Sequence, residues 1–321
     1  LRNASSQAAN RKPLNQEVAM TNEFVEFSVG SFQCAVVSDG TFTYDHPAQG
    51  MVVNAPHDLL AAALQAEGID LDSWTEYVST YAPLLIRTGR ENVLVDTGGG
   101  ALAPTTGHLH RNLRALGVEP ADIDVVILTH AHADHIGGNL TADGTPAFPR
   151  ARYVISRPEW RFWMEECDLS SLGVDEQMKA FFQKFAQRNL AGVMGQLDLI
   201  DPDTAIVPGI TAIPAPGHTP GHIALAVESD GATFVDLVDT VLLPLHIAQP
   251  DWVSAVDWNT EQTVRTRRKL IGQCAAAGHR VRVYHCPFPG LGRIALQDGR
   301  WQWVAQAPQE ASSLGREIAV A

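Results

Sequence analysis

The segment Thr129-His130-Ala131-His132-Ala133-Asp134-His135 places three histidines and an aspartate within six positions. A neutral imidazole offers one nitrogen to a divalent metal, and a carboxylate offers an oxygen, so the segment reads as part of a metal site. The apolar run Val125-Val126-Ile127-Leu128 precedes it and Ile136-Gly137-Gly138-Asn139 follows. That order predicts a buried strand, a ligand-bearing loop and a glycine-rich entry to a helix. Ligands carried at a strand end are held by a rigid scaffold, as catalysis requires.

Three later segments supply further ligand types. Pro216-Gly217-His218-Thr219-Pro220-Gly221-His222 sets a histidine in a tight turn between strands. Asp239 follows the apolar run 234–238, which has Asp236 inside it, and Tyr284-His285-Cys286-Pro287 sets another histidine at a strand end. Asp96-Thr97-Gly98 closes a fourth strand. A carboxylate there can accept an imidazole N–H and fix the tautomer of a ligand.

The elements that must position these residues alternate along the chain. Apolar and alternating patterns predict strands at 24–29, 34–37, 84–87, 92–95, 125–128, 152–155, 210–213, 224–227, 234–238, 281–284 and 299–304. Helices are expected at 59–67, 110–116, 158–166, 175–190 and 260–277, the last stopped by Gly278. The class is α/β. No Pro/Gly/Ser linker divides the chain, so it reads as one domain over 24–321 behind a flexible arm at 1–23.

Composition narrows the function. With 321 residues and 45% hydrophobic content the chain can bury a sizeable core. No apolar run approaches a membrane span. The net charge of −13, with no Lys/Arg block, argues against nucleic acid and anionic membrane as partners. Cys34, Cys167, Cys274 and Cys286 form no C-x-x-C pair, which excludes a Cys-rich zinc site and leaves them as free thiols. The first residues lack the apolar core of a signal peptide, so a cytoplasmic location is expected, or a periplasmic or secreted one if a leader has been removed.

Together these motifs resemble the metallo-β-lactamase superfamily, from about Phe24 onward. The residues that carry the likeness are Asp96-Thr97-Gly98, His130-x-His132-x-Asp134-His135, Gly217-His218-Thr219-Pro220-Gly221-His222, Asp239 and His285. Within the superfamily the chain is most similar to the methyl-parathion-hydrolase-like branch, through Pro104-Thr105-Thr106-Gly107, Phe162-Trp163 and Phe288-Pro289-Gly290-Leu291-Gly292. N-acyl-homoserine-lactone lactonases share the metal motif.

The resemblance implies an αββα four-layer sandwich, two mixed sheets flanked by helices. It implies two divalent ions, zinc first, with iron, manganese or cobalt as alternatives. His130, His132 and His218 would hold one, Asp134, His135 and His285 the other, and Asp239 would bridge both. A hydroxide between the ions would attack the substrate, with Asp134 helping to move the proton, so Asp134 and Asp239 are the catalytic candidates. Relatives usually have glycine before the bridging aspartate. Here it is Val238, which keeps Asp236 as the alternative bridge. Asp96, Thr129 and His222 are expected just outside the metal ligands, while Trp163, Phe182, Trp252 and Phe288 are candidates for a substrate pocket. Asp257 and Arg268 are read as an ion pair, either buried in support of the site or solvated.

The activity implied is hydrolysis of a small, uncharged lactone or carboxylic ester, in a homodimer. A phosphotriesterase is the alternative within the branch, with hydrolytic dehalogenation and β-lactam hydrolysis behind it. A metal-dependent redox enzyme of the same fold is the non-hydrolytic alternative.

Overall fold

The computed structural model describes residues 23–306. All of the expected N-terminal arm but its last residue, and the tail from 307 onward, lie outside the described residues. The first half of the chain carries β1 (Phe24–Val29), β2 (Phe32–Val37), β3 (Gly40–Asp45), β4 (Glu76–Tyr81), β5 (Leu84–Arg87), β6 (Asn92–Val95), β7 (Val125–Leu128), β8 (Arg152–Ser156) and β9 (Leu197–Ile200). Seven of these form one mixed sheet in the order β1-β2-β5-β6-β7-β8-β9, and β3 pairs with β4 as a separate hairpin. The second sheet runs in chain order through β10 (Ala205–Val207), β11 (Ile210–Pro214), β12 (Ile223–Ser229), β13 (Ala232–Asp236), β14 (Arg280–Arg282), β15 (Leu291–Gln297) and β16 (Arg300–Ala305). Helices are α1 (Pro47–Gly50), α2 (His57–Ala66), α3 (Leu109–Ala115), α4 (Ala133–Ile136), α5 (Arg157–Arg161), α6 (Glu176–Gly192), α7 (Pro244–Ala248) and α8 (Thr260–Ala277).

Side-chain alternation explains why the sheets stack. Successive residues of a strand point to opposite faces. Val93 and Val95 of β6 and Val125 and Ile127 of β7 therefore face inward, where they pack on Ile210, Ala212, Leu225, Val227 and Phe234 of the second sheet. Leu94, Val126 and Leu128 face outward against Leu109 and Leu113 of α3 and Ala186 and Leu190 of α6. On the far side, Ala224, Val235 and Val281 meet Leu270, Ile271 and Cys274 of α8. The result is an αββα sandwich. Strands buried on both faces read as unbroken apolar runs, as Val125–Leu128 does.

Among the elements that differ from the expectation, three lie beside the ligand loops. The strand expected at 234–238 stops at Asp236, because Val238 turns the chain with φ 45°. A β-branched residue is strained there, and its side chain is offset by burial against Tyr81 and Tyr284. The strand expected at 281–284 ends at Arg282, leaving Tyr284 and His285 in the following turn. The helix expected at 158–166 is α only to Arg161 and continues as a π turn over Phe162–Glu166.

Candidate metal centre

Every candidate ligand sits just beyond the end of a strand. His130 and His132 follow β7, and Asp134 and His135 lie on α4, the single helical turn after it. His218 is in the turn between β11 and β12, Asp239 in the short turn after β13, and His285 in the turn after β14. The structure brings these seven side chains together in two sets. One is His130, His132, His218 and Asp239; the other is Asp134, His135 and His285. Within each set the ligand atoms lie within 4.8 Å of one another.

Asp239 joins the sets. Its Oδ2 is 3.3 Å from His218 Nε2 and 3.6 Å from His130 Nε2 on one side. On the other it is 3.3 Å from both His135 Nε2 and His285 Nε2. Asp134 Oδ2 lies 3.3 Å from His285 Nε2 and 3.6 Å from His135 Nε2. His132 turns its Nδ1 inward, 2.9 Å from His218 Nε2.

Imidazole nitrogens converging on buried carboxylate oxygens need positive charge between them. His130 Nε2, His135 Nε2 and Asp239 Oδ1 are buried without a hydrogen-bond partner among the described residues. Burial without partners is costly unless a ligand satisfies the atoms. Protons answer part of that need in the metal-free protein. Burial alone would lower both His218 and His135. Asp239 and Asp257 instead hold His218 up at about 9, and Asp239, Asp134 and Asp96 hold His135 well above the usual histidine range. Burial and their cationic neighbours push His130 and His132 well below it, so these two stay neutral. Six terminal donors and one shared carboxylate, with orphaned atoms at their centre, fit two divalent cations.

The family model described as the metallo-beta-lactamase superfamily matches residues 82–235. Over that span the chain is similar to the metallo-β-lactamase superfamily, and its fold is the metallo-β-lactamase fold. The matched span holds His130, His132, Asp134, His135 and His218, while Asp239 and His285 lie beyond it. An N-acyl homoserine lactonase of Bacillus sp is 28% identical over 177 residues, 51% of this chain and 61% of the relative. N-acyl homoserine lactonase AttM of Agrobacterium fabrum (strain C58 / ATCC 33970) is 29% identical over 174 residues, 49% of this chain and 56% of the relative. The chain thus matches less than two thirds of the length of these relatives. Among solved structures, AidC, a dizinc quorum-quenching lactonase crystallised with N-hexnoyl-L-homoserine as product, superposes with a TM-score of 0.82 at 24% identity, covering 88% of this chain and 97% of AidC. Hydrolase AbOPH of the beta lactamase superfamily gives 0.79 at 23% identity, covering 90% and 99%.

The outward-facing nitrogens of the ligands must be held for the inward ones to aim. Asp96 holds one of them directly and a second through Thr129. Its Oδ2 accepts His135 Nδ1–H at 2.8 Å and the Thr129 hydroxyl at 2.9 Å, and its Oδ1 accepts the Thr129 backbone N–H at 2.9 Å. Thr129 Oγ1 in turn lies 3.2 Å from His130 Nδ1. His222 does not enter either ligand set. It donates Nδ1–H to the Ala215 carbonyl at 3.1 Å and accepts the Asp239 backbone N–H at Nε2, 3.3 Å away. Burial pushes its imidazole down to about 3, so it stays neutral and able to accept.

Other braces come from residues that the sequence motifs do not contain. Asp257 accepts His218 Nδ1–H at 2.9 Å. The expected partner of Asp257, Arg268, instead pairs with exposed Asp251 at 2.5 Å, and buried Arg267 approaches Asp257 at 3.9 Å. Adjacent arginines on one helix point about 100° apart, and only Arg267 faces inward. Ser79 Oγ lies 3.0 Å from His285 Nδ1, and the Tyr77 hydroxyl donates to the His285 carbonyl at 2.5 Å.

Glu159 ties the two histidine loops together. It is fully buried and accepts four hydrogen bonds: Ala131 N–H at 2.9 Å, Trp163 Nε1–H at 2.7 Å, Thr219 Oγ1–H at 2.7 Å and Gly221 N–H at 2.9 Å. Burial raises its carboxyl and these donors pull it back. Gly221 permits the approach, since a Cβ there would sit 2.1 Å from the Glu159 nitrogen.

Asp236 is excluded as the bridge. Its carboxylate faces Arg282, with Oδ2 3.0 Å from Nη2 and Oδ1 accepting Nε–H at 3.1 Å, both side chains fully buried.

The four pocket candidates separate. Phe182 is half-buried on α6 with its ring 5.4 Å from that of His132. Trp163 meets His132 edge-on at 5.9 Å but is fully buried, and its indole is committed to Glu159, so it is a wall behind the ligand. Trp252 lies in a separate core with Leu64, Trp74 and Leu243, and half-buried Phe288 packs on the core between the sheets. These last two are packing residues. A large apolar ring lowers its free energy most by burial, and no contact of either with a ligand side chain is seen among the described residues.

Proposed function

We propose that this protein is a dinuclear-metal hydrolase that opens a small, uncharged lactone or carboxylic ester. The observation that carries the reading is Asp239 Oδ2, placed between two separate sets of donors. Two cations held by those sets would acidify a bound water and polarise the bond to be broken. The chain's own residues do the rest. His130 is held by Thr129, the His132 loop by Glu159 through Ala131 N–H, His218 by Asp257, His135 by Asp96 and His285 by Ser79, so all five aim a ring nitrogen inward. Asp134 is the one ligand with appreciable exposure, 14% of its side chain. It marks the side from which substrate enters and is placed to accept a proton from the attacking water. Phe182 beside His132 offers an apolar surface to an acyl chain or ring. The donor set suits zinc first, with iron, manganese and cobalt as competitors. The lactonase relatives support the choice of a carbonyl over a phosphorus centre.

The test is a panel compared by kcat/KM on zinc-loaded protein: N-hexanoyl homoserine lactone, an aryl ester, a dimethyl aryl phosphotriester and a cephalosporin. The lactone is expected to be fastest, and chelation is expected to abolish turnover of all substrates. A dominant phosphotriester would move the reading to the phosphorus centre, and chelator-resistant turnover would remove the metal from it.

A further inference from the structure

The hairpin β3–β4 brings one more polar group to the Asp134 side of the centre. Tyr77, Ser79 and Tyr81 alternate along β4, so all three point to one face. The first two brace His285. The third meets Tyr44 of β3, with the two hydroxyls 2.9 Å apart. Both rings stand edge-on to His285, at centroid distances of 6.2 Å for Tyr44 and 6.0 Å for Tyr81. His285 Nε2 is itself 3.3 Å from Asp134 Oδ2 and 3.3 Å from Asp239 Oδ2, so the phenols flank the junction of the two ligand sets. Phe42 locks them from behind, stacked on Tyr81 at 5.9 Å and edge-on to Tyr44 at 5.0 Å.

Two hydroxyls carry two protons, and their mutual hydrogen bond uses one. Neither hydroxyl has another hydrogen-bond partner among the described residues. One O–H is therefore left to donate. Tyr81 is 1% exposed, enclosed by Val238 and Tyr284, whereas Tyr44 is half-buried. Either hydroxyl can donate to the other; with Tyr81 donating to Tyr44, the Tyr44 proton is the one left free.

We propose that the Tyr44 hydroxyl, oriented by Tyr81, donates a hydrogen bond to the substrate oxygen that gains negative charge during ester or lactone hydrolysis. This rests on the hydrolase reading above. The phenol O–H bond stays intact. Water supplies the hydroxyl that bonds to the acyl carbon and the proton that ends on the leaving oxygen, so the tyrosines are unchanged over the cycle. A donor fixed in advance at developing charge stabilises the transition state more than the ground state. Tyr44 is then a catalytic residue and Tyr81 a positioning one.

The test compares wild type, Tyr44→Phe and Tyr81→Phe, all zinc-loaded, by kinetics and by calorimetric binding of methyl hexylphosphonate, an anionic tetrahedral mimic. Phenylalanine keeps the ring packing, so metal content and melting temperature should not change. Tyr44→Phe is expected to lower kcat by about 10²-fold while KM stays within about twofold. It should weaken phosphonate binding by about tenfold. Tyr81→Phe should show the same pattern, smaller, at roughly 3- to 10-fold in kcat. Unchanged kcat and unchanged phosphonate affinity in a two-metal Tyr44→Phe protein would overturn the proposal. If wild type hydrolyses no carbonyl ester, the hydrolase reading fails by itself. The phosphonate then decides alone: weaker binding to Tyr44→Phe upholds the donor, and equal binding overturns it.

Discussion

Asp239→Ala is expected to leave at least one of the two metal positions empty and to lower kcat on the order of 10³-fold. Losing a metal removes several kcal/mol of transition-state stabilisation, and each ~1.4 kcal/mol is tenfold in rate. The effect is large because one oxygen serves both sets: Oδ2 has two imidazole nitrogens on each side within 3.6 Å. The fold should survive. The backbone N–H of Asp239 still bonds to His222. Elemental analysis of gel-filtered protein and kcat on the best substrate of the panel check both parts. An Asp239→Ala protein with two metals and wild-type turnover would remove Asp239 from the centre.

Asp236→Ala should do the opposite, costing stability while sparing the metals. Arg282 would be left fully buried with its carboxylate partner gone. Its remaining bond, to the Ala82 carbonyl at 2.5 Å, does not neutralise the charge. Breaking a buried ion pair from one side costs about 3–5 kcal/mol. For a chain of this size that is a fall in melting temperature on the order of 10 °C. Thermal unfolding of the metal-loaded variants measures it, with metal content read on the folded fraction. A variant as stable as wild type that has lost a metal would return Asp236 to the ligand set.

These two aspartates also show what a sequence can carry. Three positions apart on a supposed continuous strand, they face opposite sides, and only the turn at Val238 decides which reaches the histidines. No local pattern announces a positive φ at valine, because the strain is offset by contacts with Tyr81 and Tyr284, far away in sequence. Four of the seven candidate ligands, by contrast, lie within six residues behind an apolar strand, and that spacing is itself the signal. The sheets are legible for the same reason, since β6, β7 and β12 are apolar runs bounded by turn residues.

What stays hidden reaches the site through tertiary structure. Glu159 looks like any glutamate in the first turn of a helix, and only the packing of α5 beneath both histidine loops makes it a four-bond anchor. Ser79 and Tyr81 lie on a hairpin whose alternation of threonines, serine and aromatics is too short to stand out. Its partner β3 is likewise unremarked by any apolar run. The pairing of Asp257 with Arg267 rather than Arg268 depends on the rotation of α8, which one residue of register changes. Trp252 and Phe288 are undecided in the sequence because aromatic side chains fill cores and pockets alike.

The most direct test of the dinuclear reading is a crystal structure of the zinc-loaded protein with anomalous data collected above and below the zinc edge. Two anomalous peaks are predicted. One lies among His130, His132 and His218, the other among Asp134, His135 and His285, with Asp239 Oδ2 between them. A single peak, or a pair with Asp239 bound to neither, would contradict the account.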